Sequence, residues 1–361
     1  MKLGKCFLGD YLAEKICEDD YRGKDLAIIH PFSTDHTNLA RIKARFSDVA
    51  RLALPRPETG GLGLKRTCTA IVGPMRPNFL LLPPACLALG LAVTHWRGFA
   101  LDWPRFFLVL TGAVAAHVAV NALNEYADFR SGLDLLTTKT PFSGGTGTLP
   151  ALPDKAHLAL VVGLAALGVT AAVGLYFLFL RGWLLLPLGL AGLLSIVLYT
   201  PCLTRHWLLC LFAPGLGFGP LMIMGTEFCL TGSYSWAGLA ASLTPFFLVS
   251  NLLLLNQFPD REPDRAVGRN HLIIRTSPQQ GVAVYGLLLL GSFLVPVVGW
   301  LLGILPAGAL LALLVAPLAL RTFRDVRRGF NDLSLLLPSL TRNVVLNLAT
   351  PVLMALGIYL A

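Results

Sequence analysis

Nine stretches of this chain are apolar over close to twenty residues, and nothing else in it constrains the fold as strongly. They run approximately over 78–95, 104–127, 156–180, 182–200, 208–230, 236–258, 281–300, 304–320 and 343–360. A helix of about 20 apolar residues crosses the hydrocarbon core of a bilayer. Lipid offers no hydrogen bonds, so each segment must satisfy its own backbone. The expected fold is all-α, a polytopic membrane protein with about nine transmembrane helices around a central cavity. Only 14% of the 361 residues are charged, against roughly 25% in soluble chains. Residues 1–70 are polar, show no signal-peptide pattern, and read as an N-terminal extension of unknown role; residues 71–361 read as the membrane domain. The seven cysteines form no CxxC pair and no spacing with histidine that fits a metal, and read as scattered packing thiols.

Lysine and arginine set the expected orientation, because they accumulate on the cytoplasmic side. With the N-terminus inside, 26 of the 29 basic residues fall on that side and only Arg97, Arg105 and Arg181 fall outside. The net charge of +9 then reflects topology and contact with anionic membrane lipids, and nucleic-acid binding is not needed to explain it. The expected location is the inner (plasma) membrane, with a cavity open to the cytoplasm.

Two acidic stretches leave apolar segments on that same side. The first, NALNEYADFRSGLD (121–134), ends the second segment; the other, NQFPDREPDRAVGRNHL (256–272), ends the sixth. Both run Asn, Asp, Asp: Asn124, Asp128 and Asp134, then Asn256, Asp260 and Asp264. Residues i and i+4 share a helix face, so Asn124 and Asp128 point one way, with Asn121 and His117 further back on the same stripe. Gly132 is expected to end this helix and let Asp134 fold back. Pro259 makes regular helical spacing between Asn256 and Asp260 less secure. Ionisable groups at a membrane segment are costly and mark function.

Carboxylates alone repel phosphate, by about 4 kcal/mol per unit-charge pair at 4 Å and an effective dielectric of 20. Mg²⁺ reverses the sign, since it binds a few carboxylates together with phosphate oxygens and retained waters. The cluster suits a metal-bridged diphosphate, with Lys139, Arg265, Arg269 or Arg275 neutralising the remaining oxygens. So many apolar helices point to a lipid diphosphate. The Gly-rich PFSGGTGTLP (141–150) lacks the Lys-Ser/Thr ending of a P-loop and reads as a mobile loop or lid.

At these residues the sequence resembles the UbiA-type membrane prenyltransferases. Their first motif, Asn-Asp-x-x-Asp with a further Asp, is matched by Asn124, Asp128 and Asp134, with Glu125 where the family has its first acid. Asp260 and Asp264 match the second motif. MRPNFLLLPP (75–84) is similar to the family's Arg-Pro opening of the first helix. The longer gap before Asp134 and the spacing in DREPDRAVGRNHL look like the dihydroxynaphthoate branch of menaquinone synthesis. The resemblance implies that Asn124, Asp128, Asp134, Asp260 and Asp264 hold Mg²⁺ on a polyprenyl diphosphate, with Asn124, Asp128 and Asp260 catalytic. It implies that Lys139, Arg269 and Arg265 share the diphosphate charge, and that an aromatic acceptor attacks the resulting allylic cation. Arg76 either pairs an acceptor carboxylate or anchors the first helix. Tyr199 either stabilises a cation or is an interfacial aromatic, and His117 either faces the acceptor or packs. After YTP (199–201) relatives often carry a Gly-Glu pair, whereas this chain has no acid before Glu227.

Hydroxybenzoate, chlorin, haem and glycerol phosphate remain alternative acceptors. A cation-coupled transporter is the alternative class, but transporter sites lie near the bilayer midplane on interrupted helices. These acids sit at helix ends.

Overall fold

The computed structural model describes residues 60–361; the extension expected over 1–70 lies outside the described residues as far as residue 59. Its boundary at residue 70 falls inside the first described helix, α1 (Gly60–Met75). After it come α2 (Leu82–Trp96), α3 (Trp103–Ser131), α4 (His157–Arg181), α5 (Leu186–Leu198), α6 (Trp207–Leu216) and α7 (Met222–Thr231). Then follow α8 (Trp236–Ala266), α9 (Pro278–Leu301), α10 (Ala316–Gly329) and α11 (Leu333–Tyr359). No strand occurs among the described residues.

The chain is a multi-pass membrane protein, all-helical over the described residues, where the count of nine spans is not reached. Among the described residues seven helices are long and apolar enough to cross, and an eighth is a pair, Gly63–Phe79 with Leu82–Trp96, bent by 47°. The expected fourth span is the shorter apolar helix Trp183–Leu198, which at 1.5 Å per residue falls short of the roughly 30 Å core. Its α5 portion has no fully buried residue. Leu184, Leu190 and Leu194 there, like Phe179 on α4 and Leu287 on α9, are exposed apolar side chains of the kind that face lipid.

Helix ends follow local chemistry. Asp102 caps α3 by accepting from the Arg105 amide at 3.0 Å, and Ser277 and Gln280 form a capping box on α9. In the interior, small residues let helices approach, as lipid-solvated packing requires. At Gly219 between α6 and α7, an added Cβ would lie 2.5 Å from the Ser242 carbonyl and 2.9 Å from Phe246 of α8. The chain passes that point as a π-helical turn, Gly217–Leu221, containing Pro220. Cys86, Cys210 and Cys229 are buried free thiols and Cys68 is an exposed one.

At the end of the bundle away from the acid motifs, the three basic residues assigned outside all have partners. Arg97 donates to Glu227 at 2.7 Å, Arg105 pairs with Asp102 at 2.9 Å, and Arg181 Nε donates to the Cys229 carbonyl at 2.8 Å. Glu227 is fully buried and also receives the Ser235 hydroxyl. Arg97→Met strands that carboxylate and is expected to cost about 3–5 kcal/mol, seen as a lower apparent melting temperature in detergent. An unchanged melting temperature would contradict the assignment.

Candidate active site

The two helices carrying the acid motifs, α3 and α8, are the longest among the described residues, at 29 and 31 residues. Each runs past the apolar bundle and stops at a glycine in the left-handed region, Gly132 at φ 77° and Gly268 at φ 82°. Glycine takes that conformation without a Cβ penalty. Each turn reverses the chain, so that Asp134 after the first and Arg269 after the second face back into the bundle. Pro259 and Pro263 lie inside α8 without ending it, so Asn256, Asp260 and Asp264 share one face after all.

Both motifs line one cavity of about 650 Å³. Asn124, Asp128, Asp134, Asp260, Asp264, Arg269, Arg76, His117 and Tyr199 all border it. Lys139 and Arg265 do not: Lys139 is exposed and folds over Gly147 of its own loop. Arg265 pairs with Glu262 at 3.2 Å on the surface. Beyond the charged mouth the cavity continues between α3, α4, α5 and α6 past Phe177, Leu190 and Ile196. Gly174, Gly189 and Gly192 border this arm, and a Cβ on any of them would meet nothing within 4 Å.

Arg269 sits at the centre of the charged end. Its Nη1 lies 3.1 Å from Asp264 Oδ1, and its Nη2 donates to Asp128 Oδ1, so one guanidinium joins the two motifs. Burial alone would lower its pKa, but Asp128 and Asp264 hold it above the ordinary value. Asn124 donates to Asp128 Oδ2 at 2.8 Å and accepts from Thr200 at 3.0 Å, which fixes the amide and the carboxylate against each other. Asp264 Oδ2 lies 3.1 Å from His271 Nε2, in a contact not aligned as a hydrogen bond. His271, like Gln257, was not singled out from sequence; nothing in a lone His or Gln marks it until the fold lines a cavity with it.

Several polar atoms at the cavity are buried without a partner: Asp134 Oδ2, Asp260 Oδ1, Asn256 Oδ1, Gln257 Oε1 and His117 Nδ1. Such orphans cost free energy unless something fills the site. Burial and the neighbouring Glu125 and Asp128 carboxylates push Asp134 up to about 8. Burial and Asp264 push Asp260 up to about 7, against the pull of Arg269 and the Gly144 amide. The mouth is therefore short of positive charge.

Among the described residues, no three Asp, Glu, His or Cys side chains converge as a ready-made metal cage. The expected five-residue ligand set is thus not pre-assembled, because Arg269 stands between Asp128 and Asp264. The donors still fit Mg²⁺, which takes one or two carboxylates and completes its octahedron from substrate phosphate and water. The unpartnered oxygens of Asp134 and Asp260 face that same space. A cation binding there displaces protons, so Mg²⁺ affinity is expected to rise with pH up to about 8. It should fall below that, by roughly tenfold per pH unit for each proton displaced. Titration calorimetry across this range checks the sign, and a flat profile would contradict it.

Glu125 does not join the cluster. It accepts from Arg76 Nη2 at 2.8 Å and from the Thr146 amide at 2.9 Å. Glu227, the first acid after YTP (199–201), lies at the opposite end with Arg97.

Known proteins share this fold. An apo UbiA homolog from Aeropyrum pernix K1 superposes with a TM-score of 0.61 at 18% identity, covering 78% of this chain and 98% of that one. A UbiA homolog from Archaeoglobus fulgidus bound to DMAPP and Mg²⁺ gives 0.53 at 15% identity, covering 78% and 99%. In sequence, a 1,4-dihydroxy-2-naphthoate octaprenyltransferase from Mycobacterium leprae is 27% identical over 261 residues, covering 70% of this chain and 84% of the relative. The sequence pattern of the UbiA prenyltransferase family matches residues 81–332, a stretch that contains both acid motifs and the helices carrying them, and the chain belongs to that family.

Proposed function

We propose that the protein transfers a polyprenyl group from its diphosphate to an aromatic acceptor, a dihydroxynaphthoate on the way to menaquinone. The observation that carries this reading is the meeting of two distant acid motifs and Arg269 at one end of a cavity whose other end is apolar. Similarity to the Mycobacterium leprae enzyme supports the acceptor class. The Archaeoglobus fulgidus homolog with DMAPP and Mg²⁺ supports the use of a divalent ion.

Asn124, Asp128, Asp134, Asp260 and Asp264 would hold Mg²⁺, which when bound supplies Lewis-acid stabilisation to the departing diphosphate. Arg269 adds a fixed positive charge at the same mouth, where low dielectric strengthens it. Lys139 and Arg265 lie off the cavity wall and meet the diphosphate only if their segments move inward. The prenyl tail lies in the apolar arm past Gly174, Gly189 and Gly192, where each buried CH₂ contributes about 0.8 kcal/mol. Gln257 Oε1 can accept from a hydroxyl of the aromatic substrate and His117 Nδ1 offers a second unpartnered polar atom, and Tyr199 borders the same space. Arg76 is committed to Glu125, which favours its structural role. The basic-residue distribution supports a cytoplasmic mouth and an inner-membrane location.

Purified protein incubated with labelled prenyl diphosphates of several lengths and an acceptor panel tests the reading. A decarboxylated, prenylated naphthalenediol, carbon dioxide and diphosphate are expected with Mg²⁺ and not with chelator. Product on hydroxybenzoate alone would overturn the acceptor, and no diphosphate release with any acceptor would return the transporter class.

A further inference from the structure

The acid beside Asn124 has a different task from the other motif acids. One residue along a helix turns the side chain by about 100°, so Glu125 leaves the face that Asn124 and Asp128 share. It is fully buried and absent from the cavity wall. Both of its oxygens are consumed. Oε2 receives Arg76 Nη2 at 2.8 Å and Nε at 3.3 Å, and Oε1 receives the amide and the hydroxyl of Thr146. Arg76 is the one non-glycine residue at positive φ among the described residues, at 53°, just where α1 breaks toward α2.

Thr146 belongs to the loop 137–148 that crosses the mouth. Phe142, Ser143, Gly144 and Gly145 of this loop line the cavity. The Phe142 carbonyl accepts from Asn256 at 3.2 Å, and the Gly144 amide faces Asp260. These holds on the far side use motif residues that a ligand would also engage. The hold through Glu125 uses none. Gly144, Gly145 and Gly147, on either side of Thr146, all lie at φ between 73° and 79°, a region glycine enters without a Cβ penalty.

We propose that Glu125 is a positioning residue: it clasps the loop 137–148 to α3 and Arg76 as a lid over the diphosphate mouth, and it ligates no metal. The inference rests on the prenyltransferase reading for what the lid covers, but the clasp itself is tested without turnover. Trypsin cutting after Lys139 requires this loop to open, and cleavage follows the open population. In full-length protein in detergent, Glu125→Gln is expected to speed that cut by about fivefold or more, and Thr146→Val by about twofold. Glu125→Asp should fall between wild type and Glu125→Gln. In turnover, the KM for prenyl diphosphate should rise in these variants more than kcat falls, with the Mg²⁺ concentration for half-maximal rate unchanged. Wild-type cleavage rates in both Glu125→Gln and Thr146→Val would overturn the clasp, as would a raised Mg²⁺ requirement at a wild-type cleavage rate. If Glu125→Gln cannot be extracted, Thr146→Val, which leaves the buried charge pair intact, decides. Faster cleavage in variants of a protein that turns over no acceptor keeps the clasp and removes the proposed reaction.

Discussion

Alanine at Asp128 is expected to lower prenyl transfer by about 10²–10³-fold, the loss that follows when some 2.7–4 kcal/mol of transition-state stabilisation is removed. Asp128 touches Asn124 on its own helix and Arg269 from the second motif, so it is where the two halves of the mouth meet. Asp128→Asn retains size and a hydrogen-bonding oxygen but not the charge, and should lose nearly as much. Asp260→Ala should lose a similar amount, because its buried Oδ1 has no protein partner to replace. Asp154→Ala is the control: its carboxylate is exposed and pairs with Arg66 at 3.1 Å, and such surface pairs are worth about 0–1 kcal/mol. Turnover with labelled prenyl diphosphate, read beside the yield of folded protein, gives the answer. Near-normal rates in both Asp128→Ala and Asp260→Ala would sink the site assignment.

Arg269→Met should lower stability in a way that Mg²⁺ reverses. Without the guanidinium, the buried carboxylates of Asp128 and Asp264 lose their shared counter-charge, and stranding buried charge costs about 3–5 kcal/mol. Mg²⁺ can supply part of that charge. The expected result is a lower apparent melting temperature in chelator, with a recovery on adding Mg²⁺ that exceeds the wild-type response. Arg269→Lys keeps the charge but not the fork that reaches both acids, and should fall between. Equal Mg²⁺ responses in Arg269→Met and wild type would show that Arg269 does not stand in for a cation at the mouth.

Much of this site is legible from spacing because helical periodicity is local. Asn124 and Asp128 at i and i+4 had to share a face, and Gly132 had to be the residue that turned Asp134 back. The same logic failed at Pro259, where sequence physics favours a break. The extended α8 passes through it because Pro259 forfeits one backbone hydrogen bond while the packing of Leu254, Leu255 and Phe258 holds the axis. Arg269 and Arg265 are indistinguishable as residue types on one acidic stretch. Gly268 decides between them by turning one into the cavity, while the other remains on the helix surface with Glu262. Glu125 stands where the family has its first acid, and the sequence assigns it no ligand role; its helix face turns it to Arg76 and Thr146.

By itself the sequence determined that this chain lives in lipid, that its helices end in two acid motifs, and that it resembles one family, since those properties depend on composition and on neighbours a few residues apart. Only the tertiary structure decided how many of the described helices are long enough to span, which charges meet, and which acid turns from the cavity to Arg76 and Thr146. Those outcomes depend on distances between residues far apart in the chain, such as Asp128 and Arg269, and helix packing sets such distances where local periodicity cannot.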